Sequence, residues 1–310
     1  MNTTLPLRRI RDFGEKVTDT IKFIKLNWKN LLVMYGIFVL PFLLVGAFLG
    51  ARYFTQIFST ITTGGTDVLF RSWKLWVSML LVYMAVNAMA TSIYLYMRIW
   101  ENENRRASPG EILALMPGPF MSNTIYTVMM LVGLVILMVP IGFIAAGSGG
   151  AGAAALLGLF VFFLMIGMLI ILPYLLLIYP VNTIGQGEIG NAFNGAWMLL
   201  KGNWWSSLGY TLVLSLIYYI FSFIVQTALT LIFGVGSLMN AEMPGESFGK
   251  GMAVVYGLSM LIQQIFYIIM FVGAGVLYYS LHEEKMGGGL QKMIDDLGTD
   301  SSKYGQQEEY

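Results

Sequence analysis

Six long apolar stretches dominate the sequence, and no Lys, Arg, Asp or Glu lies well inside any of them. Each is long enough for a membrane-spanning helix, which needs about 20 apolar residues. Helices and closed barrels are the structures that satisfy their backbone hydrogen bonds inside lipid. We therefore predict an all-α polytopic bundle of six transmembrane helices. The predicted spans are 31–53, 75–97, 123–146, 151–179, 206–238 and 252–281.

The composition supports a lipid environment and excludes several function classes. Hydrophobic residues make up 57% of the chain and charged residues 11%, with a mean hydropathy of +0.70, whereas soluble domains carry about 25% charged residues. The net charge of +1 is too small for a nucleic-acid-binding protein. The sequence has no cysteine and one histidine, His282, while zinc sites usually need several such ligands. We expect no metal, no cofactor and no nucleic-acid partner.

Lys and Arg residues are distributed unequally among the segments that flank the spans. Fourteen of the 18 precede the first span, follow the second or fourth span, or lie in the tail. Because cytoplasmic loops carry an excess of positive charge, this bias predicts that both termini are cytoplasmic. No small-residue cleavage site follows the first apolar stretch, so we expect an uncleaved first span. The predicted organisation is an interfacial helix at 1–30, a transmembrane domain at 31–281 and a cytoplasmic, partly disordered tail at 282–310.

Residues 7–29 form an amphipathic segment ahead of the first span. Its apolar residues recur at steps of three or four, which is typical of one helix face. This apolar stripe consists of Ile10, Phe13, Val17, Ile21, Ile24 and Trp28. The basic residues lie off the stripe, which favours a helix in the membrane interface; packing on the protein's own cytoplasmic face is the alternative. The candidate headgroup and interface residues are Arg8, Arg9, Arg11, Lys16, Lys22, Lys25, Trp28, Lys29, Lys201 and Trp204.

A similar pattern in the middle of the chain suggests a repeat. Lys25–Trp28 (KLNW) is matched by Lys201–Trp204 (KGNW), and each follows a helical stretch and precedes a span. A third interfacial helix is predicted after Ser108, because the sequence SPGE has the form of a capping box with proline at the first helical position. Interfacial helices before the first, third and fifth spans suggest three helix pairs, although so short a match also arises by chance.

Four amide side chains lie within the predicted spans: Asn87, Gln226, Gln263 and Gln264. Amides on facing membrane helices commonly hydrogen-bond across the bundle and contribute about 0.6–2 kcal/mol each; the alternative is that they line a solute path. No charged residue lies well inside the spans, which weakens ion-driven transport but leaves passive passage open. A G-x-x-x-G pattern at 46–50 permits close helix approach, either inside the bundle or between two copies.

Several short motifs resemble those of a family of multi-pass bacterial inner-membrane proteins, found notably in Bacteroidota. The motifs are Arg8–Glu15, Lys25–Trp28, Asn191–Phe193, Lys201–Trp205 and Tyr278–Lys285. The family is similar to the membrane domain attached to some glycerophosphoryl diester phosphodiesterases, in which a soluble barrel performs the hydrolysis. The resemblance covers most of residues 7–298 and carries over no catalytic residue. It implies a membrane module of the inner membrane without hydrolase activity, since too few residues follow the last span to form that barrel.

Together these features predict a non-enzymatic membrane protein. The favoured hypothesis is an accessory or scaffold protein that organises membrane lipids, other membrane proteins or further copies of itself through its basic segments. The alternative is a transporter or channel for a small or lipid-like solute, with the four amides along its path. A polar cavity that reaches the midplane favours transport, whereas amides paired with one another count against it.

Overall fold

The computed structural model describes residues 5–62, 73–147, 151–186, 191–235 and 244–287. These ranges contain ten α-helices, two π-helical segments and no β-strand, which confirms the all-α prediction. The α-helices are α1 (Phe13–Met34), α2 (Leu40–Thr62), α3 (Trp73–Glu103), α4 (Pro109–Leu115), α5 (Pro117–Gly147), α6 (Ala151–Ile184), α7 (Asn191–Leu200), α8 (Trp204–Leu229), α9 (Pro244–Phe266) and α10 (Ile268–Met286). The π-helical segments are Tyr35–Val39 and Thr230–Val235.

Five helical stretches of the described chain are long and apolar enough to cross a membrane. They are Phe13–Tyr53, Trp73–Glu103, Gly158–Ile184, Trp204–Val235 and Lys250–Met286. These stretches coincide with five of the six predicted spans. The sixth, 123–146, lies in α5, where most side chains of the second half are outside the described residues. The tail after residue 287, with its predicted short helix and disorder, is also outside them.

No turn separates the predicted interfacial helix from the first span. Helix α1 continues through Tyr35–Val39 into α2, so one unbroken helical stretch replaces the two separate helices expected at 1–30 and 31–53. The π-helical segment ends two residues before Pro41, which cannot donate a backbone hydrogen bond to the preceding turn. A local π-helical segment accommodates such an interruption of the hydrogen-bond ladder without ending the helix.

The KLNW and KGNW motifs adopt different structures. Gly202 has a φ of +90°, a left-handed conformation that favours glycine, and Asn203 is the N-cap residue of α8. In the first motif, by contrast, Asn27 lies inside α1 and donates its side-chain amide to Phe23 O at 3.1 Å. The matching letters therefore do not mark a common turn, because Leu26 occupies the place of Gly202 and disfavours that backbone conformation.

Helix α4 begins as the sequence predicts. The Glu111 amide donates to Ser108 Oγ at 3.3 Å, and the Ser108 amide donates to Glu111 Oε2 at 2.8 Å. This reciprocal pair is a capping box, and Pro109 occupies the first turn, where a missing N–H costs nothing. The helix ends at Leu115, and Pro117 begins α5 after a single intervening residue.

The G-x-x-x-G pattern serves packing inside the bundle. The Ser78 hydroxyl of α3 donates to Gly46 O at 2.8 Å, and a Cβ atom at position 46 would lie 3.4 Å from Leu81 Cβ, in ordinary van der Waals contact. A side chain at Gly50 would collide with the ring of Tyr256 in α9. Gly50 therefore allows α9 to pack closely on α2, and Gly46 lies at the contact of α2 with α3, as small residues often do between membrane helices.

Helix α10 is the central helix of the bundle. Every residue from Met270 to Leu281 is buried. A side chain at Gly273 would collide with Leu214 of α8, and a Cβ atom at Gly275 would lie 2.5 Å from Met97 Sδ of α3. These glycines therefore allow α8 and α3 to pack directly against the α10 backbone.

One end of the bundle gathers several segments that are distant in sequence. The Leu7 amide donates to Glu101 Oε2 at 2.7 Å, and the Arg11 amide donates to Ser280 Oγ at 3.2 Å. The Asn203 side chain donates to Glu284 Oε1 at 2.7 Å. We call this the terminal end. It consists of residues 5–12, the last turn of α3, the turn 201–203 and the last turns of α10.

Candidate functional site

Residues 5–12 of the terminal end are held against the rest of the bundle by an enclosed arginine. The Arg11 side chain has no exposed surface, and its Nε donates to Asp19 Oδ2 at 2.7 Å. Its other two guanidinium nitrogens donate to the carbonyl oxygens of Pro6, Leu7 and Arg9 at 2.6–3.0 Å. Burial lowers the pKa of Arg11, and the hydrogen bond with Asp19 opposes this effect. Arg11 thus belongs to the protein interior.

Two of the candidate interface residues are not at the surface. Arg11 and Lys16 are 4% and 5% exposed, although their positions off the apolar stripe suggested contact with headgroups. Arg11 precedes α1 and is enclosed by Asp19 and the backbone carbonyls of residues 6–9. Lys16 lies on the face of α1 that packs against α8 and α10, where the hydroxyls of Thr20 and Tyr210 lie 2.7 Å apart and Tyr210 donates to Gly273 O. The remaining candidates outside the middle of α1 are exposed or half-buried, namely Arg8, Arg9, Lys201 and Trp204.

The apolar stripe of α1 is not the face that packs on the bundle. Phe23, Asn27 and Leu31 form the buried face, where Tyr96 of α3 donates its hydroxyl to Asn27 Oδ1 at 2.7 Å. The stripe residues Ile10, Phe13, Ile21 and Trp28 are exposed, while Val17 and Ile24 are half-buried. Much of the stripe therefore remains uncovered by the described chain.

Beside the stripe lies a row of cations. Lys22, Lys25 and Lys29 are exposed and follow one side of α1 at steps of three and four residues. Arg106, from the loop after α3, is exposed beside them and donates to Leu26 O at 3.2 Å. We call Lys22, Lys25, Lys29 and Arg106 the basic face.

The acids of α1 do not neutralise the basic face. Asp19 accepts hydrogen bonds from Arg9 and Arg11. Glu15 caps the start of α1 and lies 3.5 Å from Arg9. No ion pair joins a residue of the basic face to any acid within the described ranges. The positive charge is therefore available to an anionic partner.

Three of the four predicted amides come together in a pocket between α8 and α9. Gln226 Oε1 accepts hydrogen bonds from the Ser259 hydroxyl at 2.7 Å and from Gln263 Nε2 at 3.1 Å. Gln264 also lines the pocket, and its Oε1 is enclosed without a hydrogen-bond donor in the described structure. The pocket has a volume of about 330 Å³. Two of its amides are thus paired, the arrangement expected of structural contacts.

Asn87 belongs to a separate polar network between α3, α5 and α6. Its Nδ2 donates to Phe120 O at 3.2 Å and to Thr124 Oγ1 at 2.5 Å. At the centre lies Asn123, which the sequence analysis did not single out because it stands at the edge of a predicted span. Its side chain donates to Thr91 and Thr183 and accepts from Asn182. The clustering of Asn and Thr near the ends of three apolar stretches was the available signal.

The described residues offer a cationic surface and neutral hydrogen-bonding groups. They contain no group of three or more His, Cys, Asp or Glu side chains placed to hold a metal ion. The chemistry that the described arrangement supports is attraction of anions at α1 and hydrogen bonding in the amide pocket. No protein-family model, no curated protein and no solved structure matches this chain.

Proposed function

We propose that this chain is a non-enzymatic accessory protein of a bacterial inner membrane, with its terminal end in the cytoplasm. It organises anionic lipids and, through them, neighbouring membrane proteins or further copies of itself. The observation that carries the proposal is the basic face of α1, which is uncompensated within the described residues and adjoins an exposed apolar stripe. The resemblance of its short motifs to a family of membrane modules supports the same proposal.

A helix with these two faces is suited to the level of the lipid headgroups. Exposed Ile21 and Trp28 favour the boundary of the acyl chains, while the lysine side chains extend toward the phosphates. Each basic residue near an anionic leaflet contributes about 1 kcal/mol of attraction, which extends over roughly one Debye length. The basic face therefore enriches anionic lipids close to the protein.

The test is the composition of the lipid shell around the full-length protein. The protein is reconstituted in vesicles of phosphatidylcholine and phosphatidylglycerol, extracted with a styrene–maleic acid polymer, and its lipids are quantified. We expect a higher fraction of phosphatidylglycerol than in the starting vesicles. The combined substitution Lys22→Gln, Lys25→Gln and Lys29→Gln removes three charges at similar side-chain size and is expected to return this fraction toward the starting value.

Two single substitutions provide the matched control. Lys25→Gln removes a charge from the basic face, whereas Lys74→Gln removes one from the opposite end of α3, about 45 Å from its terminal end. We expect only the first to lower the phosphatidylglycerol fraction. A wild-type shell identical to the starting mixture, or equal effects of the two substitutions, would contradict the proposal.

The alternative function is a transporter or channel for a small or lipid-like solute, and the amide pocket is the feature of the structure that could serve it. The pairing of Gln226 with Ser259 and Gln263 weighs against it, because these groups satisfy one another rather than a solute. Release of a small neutral solute such as glycerol from proteoliposomes discriminates between the two. Our proposal predicts the same rate with and without protein. A faster rate that Gln263→Leu changes would support transport instead.

A further inference from the structure

An apolar groove runs along the flank of α1. It lies between α1, α8 and the junction of α9 with α10, and it has a volume of about 310 Å³. Ile24, Trp28 and Leu32 form the α1 wall. On the opposite wall the rings of Phe221 and Phe266 stack with centroids 5.3 Å apart. The groove is therefore open on one side and lined by rigid aromatic and aliphatic side chains.

The dimensions of the groove favour a chain molecule. Its α1 wall extends over two turns, from Ile24 to Leu32, which is about 12 Å. An α-helix with its side chains is about 10–12 Å across, as wide as this wall is long. A lipid acyl chain is narrower, and its apolar surface matches the lining.

The mouth of the groove carries positive charge. Trp28 lines the groove, and the Lys29 ammonium lies 5.7 Å from the centroid of its ring. Lys25 is exposed one turn earlier on the same side of α1. Neither lysine forms an ion pair with a described residue. An acyl chain in the groove and an anionic headgroup beside the two lysines can thus be bound at the same time.

We propose that the groove binds one anionic phospholipid, with an acyl chain in the groove and the phosphate held by Lys25 and Lys29. This inference rests on the proposed function, because it names the lipid class and the site through which α1 acts. It goes further in requiring one molecule at a fixed place, whereas attraction by the basic face requires only an enriched shell. A specific site needs both the apolar groove and the positive charge. Separate substitutions therefore test the two requirements.

The charge is tested by native mass spectrometry of the full-length protein released from detergent with added phosphatidylglycerol or phosphatidylcholine. We expect one phosphatidylglycerol to remain bound preferentially. Combined Lys25→Gln and Lys29→Gln substitution is expected to weaken its binding about 30-fold, or about fivefold for each lysine. Lys285→Gln is the matched control, since it removes an exposed lysine in the last turn of α10, at the terminal end, that does not line the groove. It is expected to leave this binding unchanged.

The groove is tested by filling it at constant charge. Ile265→Trp adds a bulky ring to the groove wall and is expected to abolish retention of the bound phosphatidylglycerol. Leu216→Trp makes the same kind of change at an exposed position of α8 outside the groove and should have no effect. Equal binding by the two variants would overturn the site.

Two further outcomes separate the site from its alternatives. Glycerol 3-phosphate, which has the charge without the chains, is expected not to displace the lipid; displacement would point to a free phosphate ligand and overturn the proposal. An enriched lipid shell without a retained molecule would overturn the site but leave the proposed function intact. The absence of both lipid enrichment and a retained lipid molecule would overturn the site and the proposed function together.

Discussion

At the scale of single residues, Arg11 shows how one enclosed charge holds the N-terminal segment against the bundle. Each of its three guanidinium nitrogens donates a hydrogen bond, one to Asp19 and the others to backbone carbonyls of residues 6–9. A guanidinium provides five N–H donors in a planar arrangement that no other side chain reproduces. Its loss leaves Asp19 with a single cation, Arg9, and leaves three carbonyl oxygens without this donor.

We predict unequal effects of removing the two arginines that share Asp19. Arg11→Gln is expected to lower the free energy of unfolding by about 3 kcal/mol, because it breaks a buried ion pair on one side. Arg9→Gln affects a side chain that is 40% exposed and is expected to lower it by less than about 1 kcal/mol. Chemical unfolding in detergent micelles, followed by tryptophan fluorescence, measures both. Equal losses of unfolding free energy in the two variants would show that Arg11 is not the principal partner of Asp19.

The capping box of α4 leads to a prediction on pH. Hydrogen bonds from Arg105, with a smaller contribution from the Ser108 backbone, lower the pKa of Glu111 from 4.5 to about 2. Because the folded-state value is the lower one, ionised Glu111 stabilises the start of α4 above pH 4.5, and this contribution is lost as the pH falls through about 2.

The NMR chemical shift of the Glu111 carboxyl carbon is therefore expected to titrate with a midpoint near pH 2 in the folded protein. Glu111→Gln is the matched control, since glutamine also fits a capping box but has no carboxyl group to titrate. In that variant, the start of α4 should show no pH-dependent change over this range. A midpoint near the ordinary value of 4.5 would exclude the ion pair with Arg105 in solution.

The residue scale also shows which contacts a sequence reveals. The capping box is local: the four residues from Ser108 to Glu111 contain all of its donors and acceptors, so their order is sufficient to predict it. The environment of Arg11 depends on Ser280, 269 residues away, and on the packing of α1 against α8 and α10. The side-chain partners of Arg11 lie within eight residues, but their order alone does not show that Arg11 is enclosed while Arg8 is exposed.

At the scale of elements, a single glycine decides whether a motif is a turn or part of a helix. The positive φ of Gly202 separates α7 from α8, while Leu26 at the matching position continues α1. The KGNW motif therefore marks the beginning of α8, whereas the similar KLNW motif lies inside α1 and does not mark the beginning of a separate span. The conformational preference of glycine was the more informative part of the pattern.

The polar network between α3, α5 and α6 leads to a prediction for a residue that the sequence did not single out. Asn123→Leu would leave Thr91, Asn182 and Thr183 without their common partner. We expect it to lower the free energy of unfolding by about 2 kcal/mol, since each hydrogen bond between membrane helices contributes about 0.6–1.7 kcal/mol. Unfolding in mixed detergent micelles provides the measurement.

Asn194→Leu is the matched control for this prediction. It makes the same chemical change at an exposed position of α7 and is expected to alter stability by no more than about 0.5 kcal/mol. Similar effects of the two substitutions would mean that the network does not stabilise the bundle. A larger effect of Asn123→Leu would show that this network stabilises the packing of α3, α5 and α6.

At the scale of the whole molecule, hydropathy predicts which segments are helices but not which helices pack against one another. The apolar stretches are recognisable because a backbone inside lipid must satisfy its hydrogen bonds internally, and a long apolar segment does so as a helix. Most of them are apolar on every side, so their periodicity contains little information about which side faces lipid. The central position of α10 depends on the adjacent small residues Gly273, Ala274 and Gly275, which admit close neighbours. That feature is visible in the sequence but is common in membrane helices.

The proposed orientation of the bundle can be tested because the chain has no cysteine. Helix α3 has 31 residues and a length of about 46 Å, which exceeds the hydrocarbon thickness of about 30 Å. A helix of this length and composition is able to cross the membrane, and the proposed orientation places its two ends on opposite sides. Arg8→Cys and Lys201→Cys place a thiol at the terminal end, and Lys74→Cys places one at the other end.

With a membrane-impermeant maleimide, we expect Lys74→Cys to be labelled in intact spheroplasts and the other two variants only after permeabilisation. We expect this result because the excess of Lys and Arg at the terminal end favours the cytoplasmic side. Labelling of Arg8→Cys and Lys201→Cys from different sides would contradict the shared end seen in the fold. Labelling of both from outside would preserve the bundle but reverse it, and the basic face would then meet the outer leaflet.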